Sequence, residues 1–132
     1  MIAVDTSALV AVSQDESRAE QCVARLRTAE GLLISAGTLS EFYVVCAGRG
    51  LLAQAERVIA SHDMTVLDVT PAIARRVGEA YARWGKGVHP AGLNFGDCFA
   101  YVTAKQHGCP LLYVCEDFAR TDVASALAAE AG

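Results

Sequence analysis

Long apolar runs are missing from this sequence, although 53% of its 132 residues are hydrophobic. The longest uncharged apolar stretches, such as Ser7–Val12 and Phe42–Ala47, are far shorter than the ~20 residues that a membrane-spanning helix needs. The first residues lack the basic segment of a secretory signal peptide and include an acid, Asp5. We therefore expect a soluble, cytoplasmic protein with no membrane partner.

Cysteine pairing and an excess of positive charge are also missing. The five cysteines are odd in number and contain no C-x-x-C spacing, so they predict no disulfide framework. We interpret them as buried free thiols in a reducing compartment. The formal net charge of −4 argues against broad, non-specific nucleic-acid binding. It leaves open a local basic patch or a metal-bridged phosphate ligand.

Short apolar runs alternate with helical patterns along the chain. The runs Met1–Asp5, Gly31–Ser35, Thr65–Val69 and Leu111–Val114 are predicted strands. The predicted helices are Thr6–Ser13, Asp15–Glu30, Thr38–Ala47, Leu51–Ser61, 70–84, Asn94–His107 and Asp122–Ala131. Continuous apolar strands between helices are typical of a parallel sheet covered on both faces. The prediction is an α/β fold over residues 1–132, a single domain built as a three-layer α/β/α sandwich around a parallel sheet of four to five strands.

Isolated acids stand out within the apolar segments. Asp5 ends the first predicted strand, and Asp97 is the third residue of a helix that Asn94 caps, where the helix dipole favours negative charge. Glu41 is the only charged residue of a helix that is apolar on nearly all sides, which predicts that the helix is buried. Because an unpaired buried carboxylate costs several kcal/mol, such groups are paired, protonated or metal-bound.

More acids, Glu116, Asp117 and Asp122, follow the fourth predicted strand. Sites in parallel sheets form at the carboxyl ends of strands, so the joint interpretation is one pocket for Asp5, Glu41, Asp97 and the Glu116–Asp117 pair. Their mutual repulsion calls for a divalent cation, and hard oxygen ligands select Mg²⁺ or Mn²⁺ over zinc. The alternative interpretation is structural: helix caps at Asp5 and Asp97, a buried ion pair at Glu41 and a solvated loop after the fourth strand.

Four parts of the sequence carry a resemblance to a known family. They are Val4–Leu9 (VDTSAL), 38–41 (TLSE), 87–101 (GVHPAGLNFGDCFAY) and the C-terminal set Pro110–Leu112, Glu116–Phe118 and Thr121–Asp122. The third stretch is the most specific. In this order they resemble PIN-domain ribonucleases, and most closely VapC-type toxins of bacterial type II toxin–antitoxin pairs, over essentially the whole chain.

The resemblance implies an endoribonuclease that needs Mg²⁺ or Mn²⁺ and leaves 3′-hydroxyl and 5′-phosphate ends. The catalytic acids it implies are Asp5, Glu41, Asp97 and one of Glu116 and Asp117. Relatives often read Gly-Asp-Asp-Phe where this chain reads CEDF from Cys115, so both later acids stay candidates.

Asp5 and Asp97 are predicted to hold the metal, directly or through water. Thr6 and Ser7 are positioned to support a ligand water or a phosphate, or they simply cap the next helix. Cys115 stands where relatives carry glycine, and we expect it to change the local backbone, because glycine reaches conformations that cysteine resists.

Substrate and partners have their own signals. Arg75, Arg76, Arg83 and Lys86 are candidate RNA contacts, because they cluster within fifteen residues that contain one acid. The alternative is a solvated helix face with Arg–Glu pairs four residues apart.

The resemblance also implies a VapB-type antitoxin and a toxin homodimer, alone or within a larger toxin–antitoxin assembly. A basic antitoxin residue reaching into the acidic pocket would neutralise it as a metal does.

Two other interpretations fit parts of the pattern. A catalytically silent PIN domain would bind RNA or protein without cutting. A receiver-like phosphoacceptor domain also gathers acids around Mg²⁺, but it needs a lysine after a late strand, and none follows Leu111–Val114. Nucleotide-binding modules are disfavoured, because the sequence has no P-loop and no G-x-G-x-x-G motif.

Overall fold

A computed structural model describes residues 1–127 of the chain. Its strands are β1 (Ile2–Val4), β2 (Leu32–Ser35), β3 (Met64–Leu67) and β4 (Leu111–Leu112). Its helices are α1 (Thr6–Ser13), α2 (Ala19–Thr28), α3 (Ala36–Gly48), α4 (Leu52–Ser61), α5 (Pro71–Trp84) and α6 (Phe95–Gln106), followed by a short 3-10 turn at Asp117–Arg120. Over these residues, no helix has the length and apolar character needed to cross a membrane.

The four strands form one parallel sheet in the order β3-β2-β1-β4. Side chains of successive strand residues point to opposite faces. Ile2 and Val4 of β1 accordingly pack into a core with α1–α4, whereas Ala3 packs into a second core with α5 and α6. The predicted α/β fold, with helices on both faces of a parallel sheet, is confirmed.

Side-chain caps begin the helices that follow the strands. Asp5 caps α1, and Ser35 caps α3 by accepting a hydrogen bond from the amide of Gly37. Thr70 caps α5, with Pro71 at the first helical position, as the sequence predicts. Each cap satisfies backbone N–H groups that have no partner inside the helix. The cap of α1 is thus Asp5 rather than the predicted Thr6 or Ser7.

The sequence predicts a last helix over Asp122–Ala131. Residues 122–127 are not helical, so this prediction is wrong there, and the rest of the predicted helix lies outside the described residues. The chain instead runs beside the edge strand β4. The amide of Leu111 donates to the carbonyl of Ala124 at 2.8 Å, and the amide of Ala126 donates to the carbonyl of Leu111 at 2.8 Å. This pairing satisfies polar backbone groups that an uncovered edge strand would leave free.

Helix α3 is less buried than its composition predicts. Only Thr38, Phe42 and Cys46 are buried, and Val44 on the outer side is 71% exposed. The reason is that the sheet and the neighbouring helices cover one face of α3. Glu41 is consequently half-buried, not fully buried as the sequence predicts.

Candidate functional site

A cavity of about 410 Å³ opens at the carboxyl ends of β1 and β4. Four of the five predicted catalytic acids line it: Asp5, Glu41, Asp97 and Asp117. The fifth, Glu116, is exposed and does not line it. The segment after β4 therefore contributes Asp117 to this cavity, which we call the acidic pocket.

Asp5 is held at the junction of β1 and α1. Its Oδ2 accepts hydrogen bonds from the Ser7 amide at 3.0 Å and from the Ser7 hydroxyl at 2.7 Å. The Ser7 hydroxyl in turn accepts a hydrogen bond from the Val114 amide at 3.1 Å. Asp5 Oδ1 is buried and has no hydrogen-bond partner among residues 1–127. Despite the Ser7 hydrogen bonds, burial raises the pKa of Asp5 to about 6, and the charge of Glu41 acts in the same direction.

Asp97 is held by a capping box at the start of α6. Its Oδ2 accepts from the Asn94 amide at 3.0 Å, and its own amide donates to Asn94 Oδ1 at 2.8 Å. Burial raises the pKa of Asp97 well above its ordinary value, and the hydrogen bond with Asp117 and the charge of Asp5 raise it further. The cap fixes the side chain, while the neighbouring acids make its ionised form costly.

These donors fit a hard divalent cation. Carboxylate oxygens of Asp5 and Asp97 lie within 4.8 Å of each other and of the Cys115 sulfur. The unpartnered Oδ1 of Asp5 is a buried acceptor that a cation would satisfy. Burial, with Asp5 and Asp97 nearby, raises the pKa of Cys115 to about 12, which favours the thiol over the thiolate, and sulfur is a softer donor than Mg²⁺ or Mn²⁺ prefers. The oxygen pair favours Mg²⁺ or Mn²⁺ over zinc.

Cys115 is not in a strained backbone conformation, and the expected change of the backbone relative to a glycine stays a prediction. Asp15 is the only residue other than glycine with a positive φ among residues 1–127. Cys115 therefore has a conformation that any residue adopts, and its side chain occupies space beside the two carboxylates instead.

Close packing of α3 on α6 brings Glu41 to the pocket. A methyl group at Gly96 would lie 1.7 Å from Glu41 Oε2, so only glycine leaves room for this carboxylate beside Asp97. Val45 and Arg49 follow Glu41 at intervals of four residues and line the same pocket. One face of α3 therefore forms one wall of the pocket.

The two predicted supporting hydroxyls have different environments. Ser7 holds Asp5, as described above. The Thr6 hydroxyl donates to the Thr38 carbonyl at 3.2 Å and ties α1 to α3. Although Thr6 lines the pocket, its donor is used inside the fold.

The predicted RNA-contacting residues do not join the acids. Arg76 and Arg83 line a separate cavity of about 310 Å³ between α5 and α6, together with Trp84, Tyr101 and Lys105. The Arg83 guanidinium carbon lies 4.6 Å from the centre of the Trp84 ring. Arg75 and Lys86 line neither cavity. The i,i+4 Arg–Glu ion pairs of the alternative interpretation are not formed within residues 1–127.

The sequence does not predict three polar residues that line the acidic pocket. They are Glu16, Arg49 and Asn94, of which Asn94 is predicted only as a helix cap. The spacing of Glu41, Val45 and Arg49 was an available signal for Arg49. Glu16 had no such signal, because the turn after α1 depends on the positive φ of 52° at Asp15.

Comparisons with known proteins agree with this geometry. The PIN domain model matches residues 2–124. Ribonuclease VapC30 of Mycobacterium tuberculosis is 40% identical over 129 residues, which cover 92% of this chain and 95% of that protein. The crystal structure of M. tuberculosis VapC20, described as a toxin that cleaves the sarcin-ricin loop, has a TM-score of 0.77 at 17% identity and covers 93% of this chain and 96% of its own. A toxin–antitoxin complex from Klebsiella pneumoniae has a TM-score of 0.67, at 17% identity and 92% and 93% coverage.

The raised pKa of Asp5 predicts a stabilising substitution. The free energy of unfolding without metal carries no penalty from Asp5 below pH 3.8, where both states are protonated. The full penalty applies above about pH 6, where the folded state holds a buried charge. At 1.36 kcal/mol per pKa unit it is at most about 3 kcal/mol.

We therefore expect Asp5→Asn to raise the unfolding free energy by about 1–3 kcal/mol at pH 8 in EDTA. The gain should shrink as the pH falls from 6 to 4. Urea unfolding at each pH measures this, with the exposed Asp63→Asn as the matched control. A variant less stable than wild type at pH 8 would contradict the assignment of Asp5 as a strained buried acid.

Proposed function

The chain belongs to the PIN domain family, and from this we propose that it is a VapC-type endoribonuclease toxin that depends on Mg²⁺ or Mn²⁺. The observation that carries the proposal is the convergence of four carboxylates, from four separate segments, on one cavity at the carboxyl edge of the sheet. Neighbouring buried acids raise each other's pKa, so a bound cation resolves a conflict that the fold creates. The identity to curated VapC ribonucleases over most of the chain supports the same activity.

The chemistry follows from the positions of the acids. A bound cation would polarise the scissile phosphodiester and lower the pKa of the attacking water. Asp5 and Asp97 would hold it, with Ser7 fixing Asp5 and Asn94 fixing Asp97. Glu41 and Asp117, the other two predicted catalytic acids in the pocket, would accept hydrogen bonds from the attacking water and orient it. The water oxygen would bond to phosphorus as the P–O3′ bond breaks, the water would lose a proton to solvent and the leaving O3′ would gain one, which gives a 5′-phosphate and a 3′-hydroxyl.

RNA binding beyond the acidic pocket is assigned to the cavity between α5 and α6. Arg76, Arg83 and Lys105 line it, and Trp84 lies under the Arg83 guanidinium. Guanidinium groups suit phosphate oxygens because they donate in pairs. Lys105 is partly neutralised by Asp122 at 3.4 Å, so the two arginines carry the proposal.

A protein partner is part of the proposal. Val44 and Leu52 are 71% and 48% exposed on neighbouring helices, which leaves apolar surface for a VapB-type antitoxin or a second copy of the chain. An antitoxin lysine or arginine in the acidic pocket would relieve the same repulsion as the metal. The solved neighbours include a toxin–antitoxin complex, which supports this pairing. We propose that the toxin acts in the cytoplasm, alongside its RNA substrate.

Substitution of adjacent acids distinguishes the catalytic residue after β4. We expect Asp117→Asn, Asp5→Asn and Asp97→Asn each to lower metal-dependent cleavage at least about 100-fold, because positioned acid–base groups contribute that much. Glu116→Gln, one residue from Asp117 but outside the pocket, should stay within about threefold of wild type. The assay is cleavage of total RNA by antitoxin-free protein in Mg²⁺, Mn²⁺ or EDTA.

Equal losses in the Glu116 and Asp117 variants would overturn the choice of Asp117. A folded wild-type protein without metal-dependent cleavage would instead favour a silent RNA- or protein-binding PIN domain. Cleavage that survives the Asp5 and Asp97 substitutions would place the activity elsewhere.

The contact between Gly96 and Glu41 gives a separate test. We expect Gly96→Ala to push the Glu41 side chain out of the pocket, because the added methyl group overlaps its carboxylate. The end of a glutamate side chain moves at little cost, so the unfolding free energy should change by less than about 1 kcal/mol while cleavage falls at least tenfold. Gly78→Ala is the control, since nothing lies within 4 Å of an added methyl group there. Full activity of Gly96→Ala would show that cleavage does not require the Glu41 carboxylate in the acidic pocket.

The cavity between α5 and α6 predicts a binding defect without a chemical one. The double variant Arg76→Ala, Arg83→Ala should weaken RNA binding roughly tenfold. It should also lower the salt slope of binding by about 1.4, at about 0.7 for each phosphate contact to a single strand. Fluorescence anisotropy at several salt concentrations measures both, with the exposed Arg57→Ala as control. Unchanged affinity would remove this cavity from the RNA path.

A further inference from the structure

We propose that Arg49, positioned by Gln14, binds an RNA backbone phosphate next to the one that is cleaved, so that the acidic pocket has a second, metal-free phosphate subsite. This inference rests on the proposed ribonuclease function and deepens it. Neither residue belongs to the acidic cluster, and neither serves the chemistry described above.

Two walls of the pocket come from two different helices. One wall comes from α1 and the turn after it, with Asp5, Ser7, Val10 and Glu16. The other wall is the face of α3 that carries Glu41, Val45 and Arg49. Arg49 follows Glu41 by eight residues, which is about 12 Å along a helix axis at 1.5 Å per residue. Arg49 therefore lies two helical steps beyond Glu41 along this wall, and it lines the same cavity as Asp5 and Asp97.

Arg49 is held in place without being neutralised. Its guanidinium donates to Gln14 Oε1, the side chain of the residue that ends α1. Its amide donates to the Val45 and Cys46 carbonyls, both at 3.2 Å, at the end of α3. Within residues 1–127, Arg49 makes no ion pair, although Glu16 lines the same pocket. A neutral acceptor thus fixes the cation and leaves its other N–H donors for a ligand.

The charges around Arg49 indicate that its ligand is a negatively charged group of the substrate. Asp5, Glu16, Glu41, Asp97 and Asp117 line the pocket, and Arg49 is the only cation among its lining residues in the described part of the chain. A polyanionic RNA strand is repelled by these carboxylates, and each phosphate that enters needs a positive partner. Asp5 and Asp97 would hold a cation that neutralises the cleaved phosphate. The planar guanidinium of Arg49, which can bind two phosphate oxygens at once, would neutralise the flanking phosphate.

The test pairs a protein substitution with a neutralised phosphate. RNA binding is measured by anisotropy in the non-cleaving Asp117→Asn background with Mg²⁺, using a labelled oligonucleotide that spans a mapped cleavage site. We expect Arg49→Ala to weaken binding about tenfold and Arg49→Lys to recover part of it. Replacing one flanking phosphate by a neutral methylphosphonate should weaken RNA binding about tenfold for the protein that carries Arg49. It should not weaken the binding of Arg49→Ala any further, because the effects of removing two coupled partners are not additive. Arg27→Ala, at an exposed residue of α2, is the control.

Steady-state cleavage with Asp117 intact should show KM raised about tenfold by Arg49→Ala and kcat within about twofold. The affinity for Mn²⁺, measured by calorimetry, should be unchanged, which separates this subsite from the metal cluster. The subsite is overturned if every methylphosphonate costs both proteins equally, or if Arg49→Ala weakens only antitoxin binding. A wild-type protein that binds RNA through Arg49 but never cleaves it would overturn the proposed function and leave the subsite intact.

Discussion

The constraint on which this structure depends is the burial of two carboxylates, Asp5 and Asp97, next to each other at one edge of the sheet. Each is 6% exposed or less, and each has a raised pKa. The fold tolerates them because both also begin helices. Asp5 accepts a hydrogen bond from the Ser7 amide, and Asp97 accepts one from the Asn94 amide. The hydrogen bonds that satisfy the helix ends therefore also offset part of the cost of burying the two carboxylates. The local signals that start α1 and α6 therefore also position the site.

That coincidence explains why much of the fold and site could be predicted from the sequence. The strands are short apolar runs, and the cap residues Asn94 and Thr70 precede obvious helices, so element order follows from local patterns. Asp5 and Asp97 are conspicuous because each is an isolated charge in an apolar segment beside such a boundary. Their convergence follows from the parallel sheet, where β1 lies between β2 and β4 and the carboxyl ends share one edge.

The parts that could not be predicted depend on contacts between distant segments. Which of Glu116 and Asp117 lines the pocket depends on how a 3-10 turn directs adjacent side chains. Residues 122–127 have helical composition, but the unpaired edge of β4 offers hydrogen bonds that hold Ala124 and Ala126 in an extended chain. The exposure of α3 depends on how much surface its neighbours cover. The spacing within α3 places Arg49 on the same face as Glu41, but that this face forms a wall of the pocket depends on how α3 packs alongside α1.

The acidic pocket also relates stability to function. Its carboxylates are costly when nothing positive is near, so the empty folded protein is less stable than its core alone would allow, as is common for active sites. A proton, a divalent cation or a basic side chain from a partner would each remove that cost by binding at the same carboxylates. Because they compete for one set of acids, whatever binds the pocket most tightly determines whether it can hold a metal. A partner that donates a cation can therefore stabilise the fold and block the chemistry in one contact, with no need to reach a separate regulatory site.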